Sequence, residues 1–233
     1  MLFPLRDNIP TYRTPYVTVG IIVINTLVFL YSQTLGFQGF QTFIMKMGFT
    51  PGFYFASAEY TLPGYYVWTP LFSMFLHGGW MHLIGNMLFL WIYGNNIEDY
   101  FGPVKFAIFY LLAGLAAVAL YSVFNMDSHT PLVGASGAIA GVMGGYMVLH
   151  PKAEITCLLF FFFITFITLS AKIVLGIWFV YQVLMSVWDS STGGGVAWLA
   201  HVGGFGFGYL VLRLFVKIKG GPRVQTQSYR IRW

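Results

Sequence analysis

Long apolar runs, broken by short joints marked with polar residues, glycine or proline, dominate the chain. Six of them, at residues 16–35, 69–93, 105–124, 136–150, 171–187 and 196–216, predict helices that enter a membrane. A hydrocarbon core of ~30 Å takes about 20 apolar helical residues. A seventh run, 155–169, sits between Pro151 and Lys172 and is read as an interfacial segment. The basic residues support that choice. With six spans and a cytoplasmic N-terminus, Arg6, Arg13, Lys105, Lys152, Lys172, Arg213, Lys217, Lys219, Arg223, Arg230 and Arg232 lie inside, and only Lys46 lies outside. This is the positive-inside pattern, and a seventh span would carry the basic C-terminal end to the wrong side. The expected fold is therefore all-α and polytopic, a six-helix membrane domain at 16–216. A cytoplasmic segment at 1–15, an aromatic-rich interfacial first loop at about 36–68 and a basic cytoplasmic tail at 217–233 complete it.

Composition points the same way. Of 233 residues, 58% are hydrophobic and 8% charged, whereas soluble domains carry roughly a quarter charged residues. Such a chain cannot cover a water-facing surface, so it is expected in the membrane. The net charge of +5 does not argue for nucleic acid, because the basic residues gather at span ends and in the tail. A single cysteine, Cys157, excludes an intrachain disulfide and a cysteine-based structural zinc site. The first apolar run is long and is not followed by a small-residue cleavage site, so it reads as a span and not as a signal peptide.

Two polar residues stand out within this apolar background. Ser136 opens the fourth run in Gly134-Ala135-Ser136-Gly137, and His201 lies in the sixth in Ala200-His201-Val202-Gly203-Gly204. Left unpaired in hydrocarbon, each would cost roughly 2–7 kcal/mol. The fourth run is about 15 residues, roughly 22 Å long, which is ~7–8 Å short of the hydrocarbon core. With Pro151 at the cytoplasmic end, Ser136 is sunk below the outer surface, and the preceding loop must dip in to meet it. Non-helical backbone at such depth is tolerated where it is buried in protein or lines water, so a cavity open to the outside is expected. His201 enters about five residues into its run, again roughly 7–8 Å deep. Ser136, Ala140 and Gly144 form one stripe of the fourth run, with Gly137, Gly141 and Gly145 beside it; Gly204 and Gly208 follow His201. Small-residue faces of this kind allow close helix approach in membranes.

The second run contains Phe75-Leu76-His77-Gly78-Gly79-Trp80-Met81-His82-Leu83-Ile84-Gly85-Asn86. His82 and Asn86, four apart, share a helix face. His77 and His82 are poorly spaced for one metal and no carboxylate is near, so no metal site is expected. A structural polar network is an open reading of His77, whereas His82 and Asn86 suit donors aimed at a developing oxyanion. Placed in a span of 69–93, His82 would lie near mid-helix, deeper than Ser136.

These pieces resemble the rhomboid family of intramembrane serine proteases. The matching stretches are His77 to Asn86, then Tyr93-Gly94-Asn95-Asn96-Ile97-Glu98-Asp99, Gly134 to Gly141, and Ala200 to Gly208, in family order. The resemblance implies a Ser–His dyad, with Ser136 as nucleophile and His201 as general base and then acid. It implies an oxyanion hole of the Ser136 N–H with the His82 and Asn86 side chains, and a loop at Gly134 supplying further backbone donors. It makes His77 a position near the site, and Glu98 and Gly102 parts of a cytoplasmic-side structural motif. Two departures are visible. Ala140 stands where an aromatic of the fourth span often supports the histidine in this family, and Tyr146 is too far along to replace it. No arginine lies between Arg13 and Arg213 to supply a Trp-Arg element in the first loop. Asp127 and Asp189, the acidic residues nearest the outer span ends, are in loops and poorly placed to act as a triad acid for His201.

The expected function is that of an intramembrane serine endopeptidase acting on transmembrane protein substrates, with membrane lipid as its other partner, no cofactor and no nucleic acid. The expected location is a bacterial plasma (inner) membrane, with the site open to the outer side. A catalytically silent rhomboid relative that binds membrane proteins is the alternative, although such relatives typically lose the serine or the histidine. A transporter or channel is disfavoured because the spans lack internal Asp and Glu.

Overall fold

The computed structural model describes residues 2–56, 63–160, 164–189 and 197–219. The tail expected at 217–233 lies, beyond Lys219, outside the described residues, as does the part of the first loop at 57–62. In chain order the elements are β1 (Leu2–Asp7), α1 (Tyr16–Thr34), α2 (Gly36–Met47), α3 (Pro51–Phe55), α4 (Thr69–Phe72), α5 (Trp80–Phe101), α6 (Pro103–Phe124), α7 (Ser136–Leu149), β2 (Glu154–Phe160), β3 (Ile164–Ser170), α8 (Ala171–Asp189) and α9 (Trp198–Lys219). Single-turn 3-10 segments at Gly64–Trp68 and Ser73–Phe75 flank α4.

Among the described residues, four helices are long and apolar enough to cross a membrane: Tyr16–Thr34, Pro103–Phe124, Ala171–Trp188 and Trp198–Ile218. The other two members of the bundle miss that mark for reasons visible in their residues. α7 has 14 residues. α5 has 22 but carries His82, Asn86, Asn95, Asn96, Glu98 and Asp99.

The second predicted span is displaced. Instead of running 69–93 as one helix, the chain breaks at an extended Leu76 and at Gly78-Gly79, and α5 starts only at Trp80. It continues past Tyr93 to Phe101 because the polar residues there are paired. Glu98, 3% exposed, accepts bonds from the Val17 N–H (2.9 Å), the Thr18 N–H (2.7 Å) and the Thr18 hydroxyl (2.8 Å). These are the free donors of the first turn of α1, and Pro15 before them offers no side-chain cap. A carboxylate from another helix thus caps α1 and meets the positive end of its dipole. Gly102, at φ 77°, ends α5 by bonding to the Glu98 carbonyl at 2.7 Å.

The all-α expectation is corrected by a three-stranded antiparallel sheet, ordered β1-β2-β3. The described parts of the run 155–169 are two strands paired antiparallel, with Glu154 opposite Ser170 and Phe160 opposite Ile164. Its sequence explains this. Ile164-Thr165-Phe166-Ile167-Thr168 is rich in β-branched residues, and burial alternates along both strands, the period of a half-buried sheet. β1 adds to the edge with Leu2 opposite Leu159 and a register shift between Pro4 and Arg6. The segment expected as a cytoplasmic lead is therefore part of the fold. Asp7 at its end accepts a hydrogen bond from the Tyr146 hydroxyl of α7, and burial raises its carboxyl pKa against that bond.

α7 lies at the centre of the bundle, buried along most of its length. Matched positions give its neighbours' directions. Gly137, Gly141 and Gly145 meet Gly204, Gly208 and Leu212 of α9, so α7 and α9 run parallel. The same three glycines meet Ala117, Ala113 and Phe109 of α6, which runs antiparallel. A Cβ on Gly204 or Gly208 would run into the carbonyl oxygen of Gly137 or Gly141, so the two backbones touch. Gly206, by contrast, has open space where its Cβ would be.

Gly208→Ala is expected to destabilise the folded chain by about 1–3 kcal/mol through overpacking. Gly206→Ala should stay within about 1 kcal/mol of wild type, the range set by helix propensity. Denaturant unfolding in detergent micelles reads both; equal losses would contradict the contact.

Candidate active site

Ser136, His201 and His82 each sit near the N-terminal end of a helix. Because α7 and α9 run parallel in glycine contact, those ends come together. Ser136 is the first residue of α7, and His201 is in the first turn of α9. Their side chains meet with His201 Nε2 2.8 Å from Ser136 Oγ. The equal depth expected from helix lengths is thus realised as direct contact.

The other imidazole nitrogen is also engaged. His201 Nδ1 is 2.7 Å from the Gln182 carbonyl oxygen, on α8. Trp178, one turn earlier on the same face of α8, lies against the imidazole with ring centroids 5.8 Å apart and planes at 38°. Trp198 meets it edge-on at 6.3 Å. The support left open by Ala140 therefore comes from the fifth long apolar run and not from the fourth. Sequence reasoning missed Gln182 and Trp178, although a signal was present: a glutamine inside an apolar span, four residues after a tryptophan, belonged to no motif. Asp127 is exposed in the loop before α7.

His82 occupies the first turn of α5, so the break at Gly78-Gly79 lifts it to the level of Ser136 and removes the depth conflict expected from a span of 69–93. The Gly78 N–H points at His82 Nδ1 over a long 3.5 Å, which in the neutral ring favours the proton on Nε2. That nitrogen faces Gly134. A Cβ there would lie 2.7 Å from His82 Nε2 and 3.6 Å from Ser136 Oγ, and Gly134 has φ 123°. Both the space and the backbone conformation call for glycine. One turn along α5, the Asn86 side-chain nitrogen is buried and has no hydrogen-bond partner among the described residues, and Asn86 lines the same cavity as Ser136. His77 is 1% exposed and packs edge-on against His82 at 5.1 Å. It does not line the cavity, so it stands behind His82.

The loop before Ser136 is irregular, and its backbone groups are satisfied by the first loop and its neighbours. Leu132 and Phe49 exchange N–H···O bonds of 2.7 and 3.1 Å, the Gly52 N–H bonds to the Ser128 carbonyl at 2.9 Å, and the Gly134 N–H bonds to the Ser73 carbonyl at 2.8 Å. These bonds meet the demand that buried irregular backbone be paired. A cavity of about 1020 Å³ opens over the site, lined by His82, Asn86, Gly134, Ser136, Trp178 and His201 among others.

Residues 65–218, the part of the chain that holds Ser136, His201, His82, Asn86 and Gln182, match the Rhomboid domain. The chain belongs to the rhomboid family. RHOMBOID-like protein 4 of Arabidopsis thaliana is 33% identical over 172 residues, which cover 70% of this chain and 40% of that protein. RHOMBOID-like protein 2 of the same plant is 41% identical over 75 residues, 32% of this chain and 23% of that one. Rhomboid protease GluP of Bacillus subtilis is 39% identical over 80 residues, 34% of this chain and 15% of that one. The matches span less than half the length of each of these relatives. Family membership and the apolar helices together make this rhomboid chain an integral membrane protein.

Gly134→Ala is expected to cost about 1–3 kcal/mol of stability, from the strained φ, and to push the His82 ring away from Ser136. A thermal melt in detergent checks the first effect and an experimental structure of the variant the second. An unmoved His82 would contradict the close packing.

Proposed function

We propose that this rhomboid chain is an intramembrane serine endopeptidase of six spans, α1, α5, α6, α7, α8 and α9, that cleaves transmembrane protein substrates. The 2.8 Å contact between Ser136 and His201, at the floor of a large cavity, carries the reading. Both termini are cytoplasmic in this reading, and the site opens to the outer face of a bacterial plasma membrane. Support for the orientation comes from the basic residues, eleven of twelve of which then lie on the inner side.

Ser136 Oγ gives its proton to His201 Nε2 as it attacks the scissile carbonyl carbon, and the carbonyl oxygen takes the electron pair. The resulting oxyanion is met by the Ser136 backbone N–H, which lacks a helical acceptor at the start of α7, and by His82 Nε2–H and the Asn86 amide. The positive end of the α7 dipole adds to this stabilisation. His201 then passes its proton to the leaving amine as the C–N bond breaks. Water from the cavity repeats the attack on the acyl-Ser136 ester, using His201 again as base, and releases the acid.

Reconstituted protein with a transmembrane reporter substrate tests this. Ser136→Ala and His201→Ala are each expected to lower kcat by at least about 10³-fold, and Asn86→Ala by about 10²–10³-fold. Cleavage that survives Ser136→Ala would exclude the mechanism, and a folded wild type without cleavage of any reporter would favour a silent membrane-protein-binding relative.

A further inference from the structure

We infer that Gln182 is a positioning residue that completes a Ser136–His201–Gln182 relay by selecting the tautomer of His201. The inference rests on the peptidase reading above and adds a third member to its site. The dyad requires an imidazole with a free lone pair on Nε2, so that this atom accepts the Ser136 proton. A neutral imidazole carries one ring proton, on Nδ1 or on Nε2. Nothing intrinsic to a Ser–His pair decides between them. If Nε2 held the proton, it would donate to Ser136 Oγ and could accept nothing.

The geometry decides the matter at the other end of the ring. The Gln182 carbonyl oxygen, 2.7 Å from Nδ1, is an acceptor and only an acceptor. It holds the proton on Nδ1 and leaves Nε2 bare toward Ser136 at 2.8 Å. Gln182 is 3% exposed, so water does not compete for the bond. Trp178, one turn away on the same face of α8, flanks the ring and limits its rotation out of line. α8 thus takes over both tasks that a triad acid performs for a histidine, orientation and tautomer choice. It does so with a neutral carboxamide, without adding a charge to an apolar site. The residue at the family's aromatic position, Ala140, is fully buried against α9 and has no room to act.

Kinetics and spectroscopy test this on the full chain in lipid. Gln182→Met keeps the volume and removes the acceptor. It should lower kcat by roughly 10²-fold with KM within about twofold; a fully mis-set tautomer costs about 10⁴-fold in a triad. Gln182→Glu restores an acceptor oxygen at the same reach and should recover most of that loss, which a packing role would not produce. Histidine 15N NMR of the wild type needs no variant of Gln182. The His201 signals, assigned by their loss in His201→Ala, should show a protonated Nδ1 and an unprotonated Nε2. A protonated Nε2, a Gln182→Met kcat near wild type, or a Gln182→Glu variant as slow as Gln182→Met would each overturn the inference. Ser136→Ala run alongside separates the two levels. If it leaves cleavage intact, the peptidase reading itself has failed; if it abolishes cleavage, the Gln182 results judge the tautomer role alone.

Discussion

Contact between the backbones of α7 and α9 sets the spacing on which the site depends. Helices whose side chains interdigitate keep axes 8–10 Å apart. Here glycines at Gly204 and Gly208 lie directly on the carbonyls of Gly137 and Gly141, and the helices run parallel. Their N-terminal ends are therefore level, and two side chains as short as serine and histidine can join across the gap. A side chain at Gly204 or Gly208 would press on the α7 backbone, widen the gap and lengthen the Ser136–His201 bond before it touched either residue. Gly137 and Gly141 also meet small residues of α6, Ala117 and Ala113, so the central helix is held by both neighbours.

A second constraint follows from the apolar surroundings. Every polar group set among these helices needs a partner, because an unpaired one costs several kcal/mol, roughly 2–7 on transfer scales. Glu98 meets that demand by capping α1 from α5. The loop before Ser136 meets it through backbone bonds to Phe49 and Ser73, and His201 through a partner on each ring nitrogen. Several buried groups lack one among the described residues, Asn25 Oδ1 and the Tyr93 and Tyr110 hydroxyls included, and one of them, on Asn86, lines the same cavity as Ser136. The Asn86 amide nitrogen is buried without a partner, and His82 Nε2 faces Gly134. In the proposed reaction, donors in that cavity are what an oxyanion developing at Ser136 would use.

Much of this was legible in the chain. The apolar runs located α1, α6, α7, α8 and α9 within a few residues, and the short fourth run together with the place of His201 in the sixth gave the common level of the pair. Three features escaped for physical reasons. The break at Gly78-Gly79 hid inside a continuous apolar stretch, because hydropathy does not register a change of backbone direction; it moved the start of the second helix from residue 69 to Trp80 and created an apparent depth conflict for His82. The strand pair Glu154–Phe160 and Ile164–Ser170 was masked in the same way, since apolar strands and apolar helices look alike unless the two-residue alternation is weighed. Gln182 was passed over because its role depends on the rotation of α8 about its axis, which a single sequence does not reveal. The roles of Ser136 and His201 came from the resemblance and from their cost in hydrocarbon, and the geometry makes both roles chemically feasible.

The central claim is that Ser136 is a nucleophile activated by His201. The most direct measurement is mass spectrometric mapping of the site phosphonylated when the folded protein in lipid is treated with a fluorophosphonate, an electrophile that reacts with activated serines. The account predicts a single adduct on Ser136 Oγ, lost when His201 is replaced. An adduct elsewhere in the chain, labelling of Ser136 that persists without His201, or no adduct on a folded protein that cleaves a substrate would contradict it.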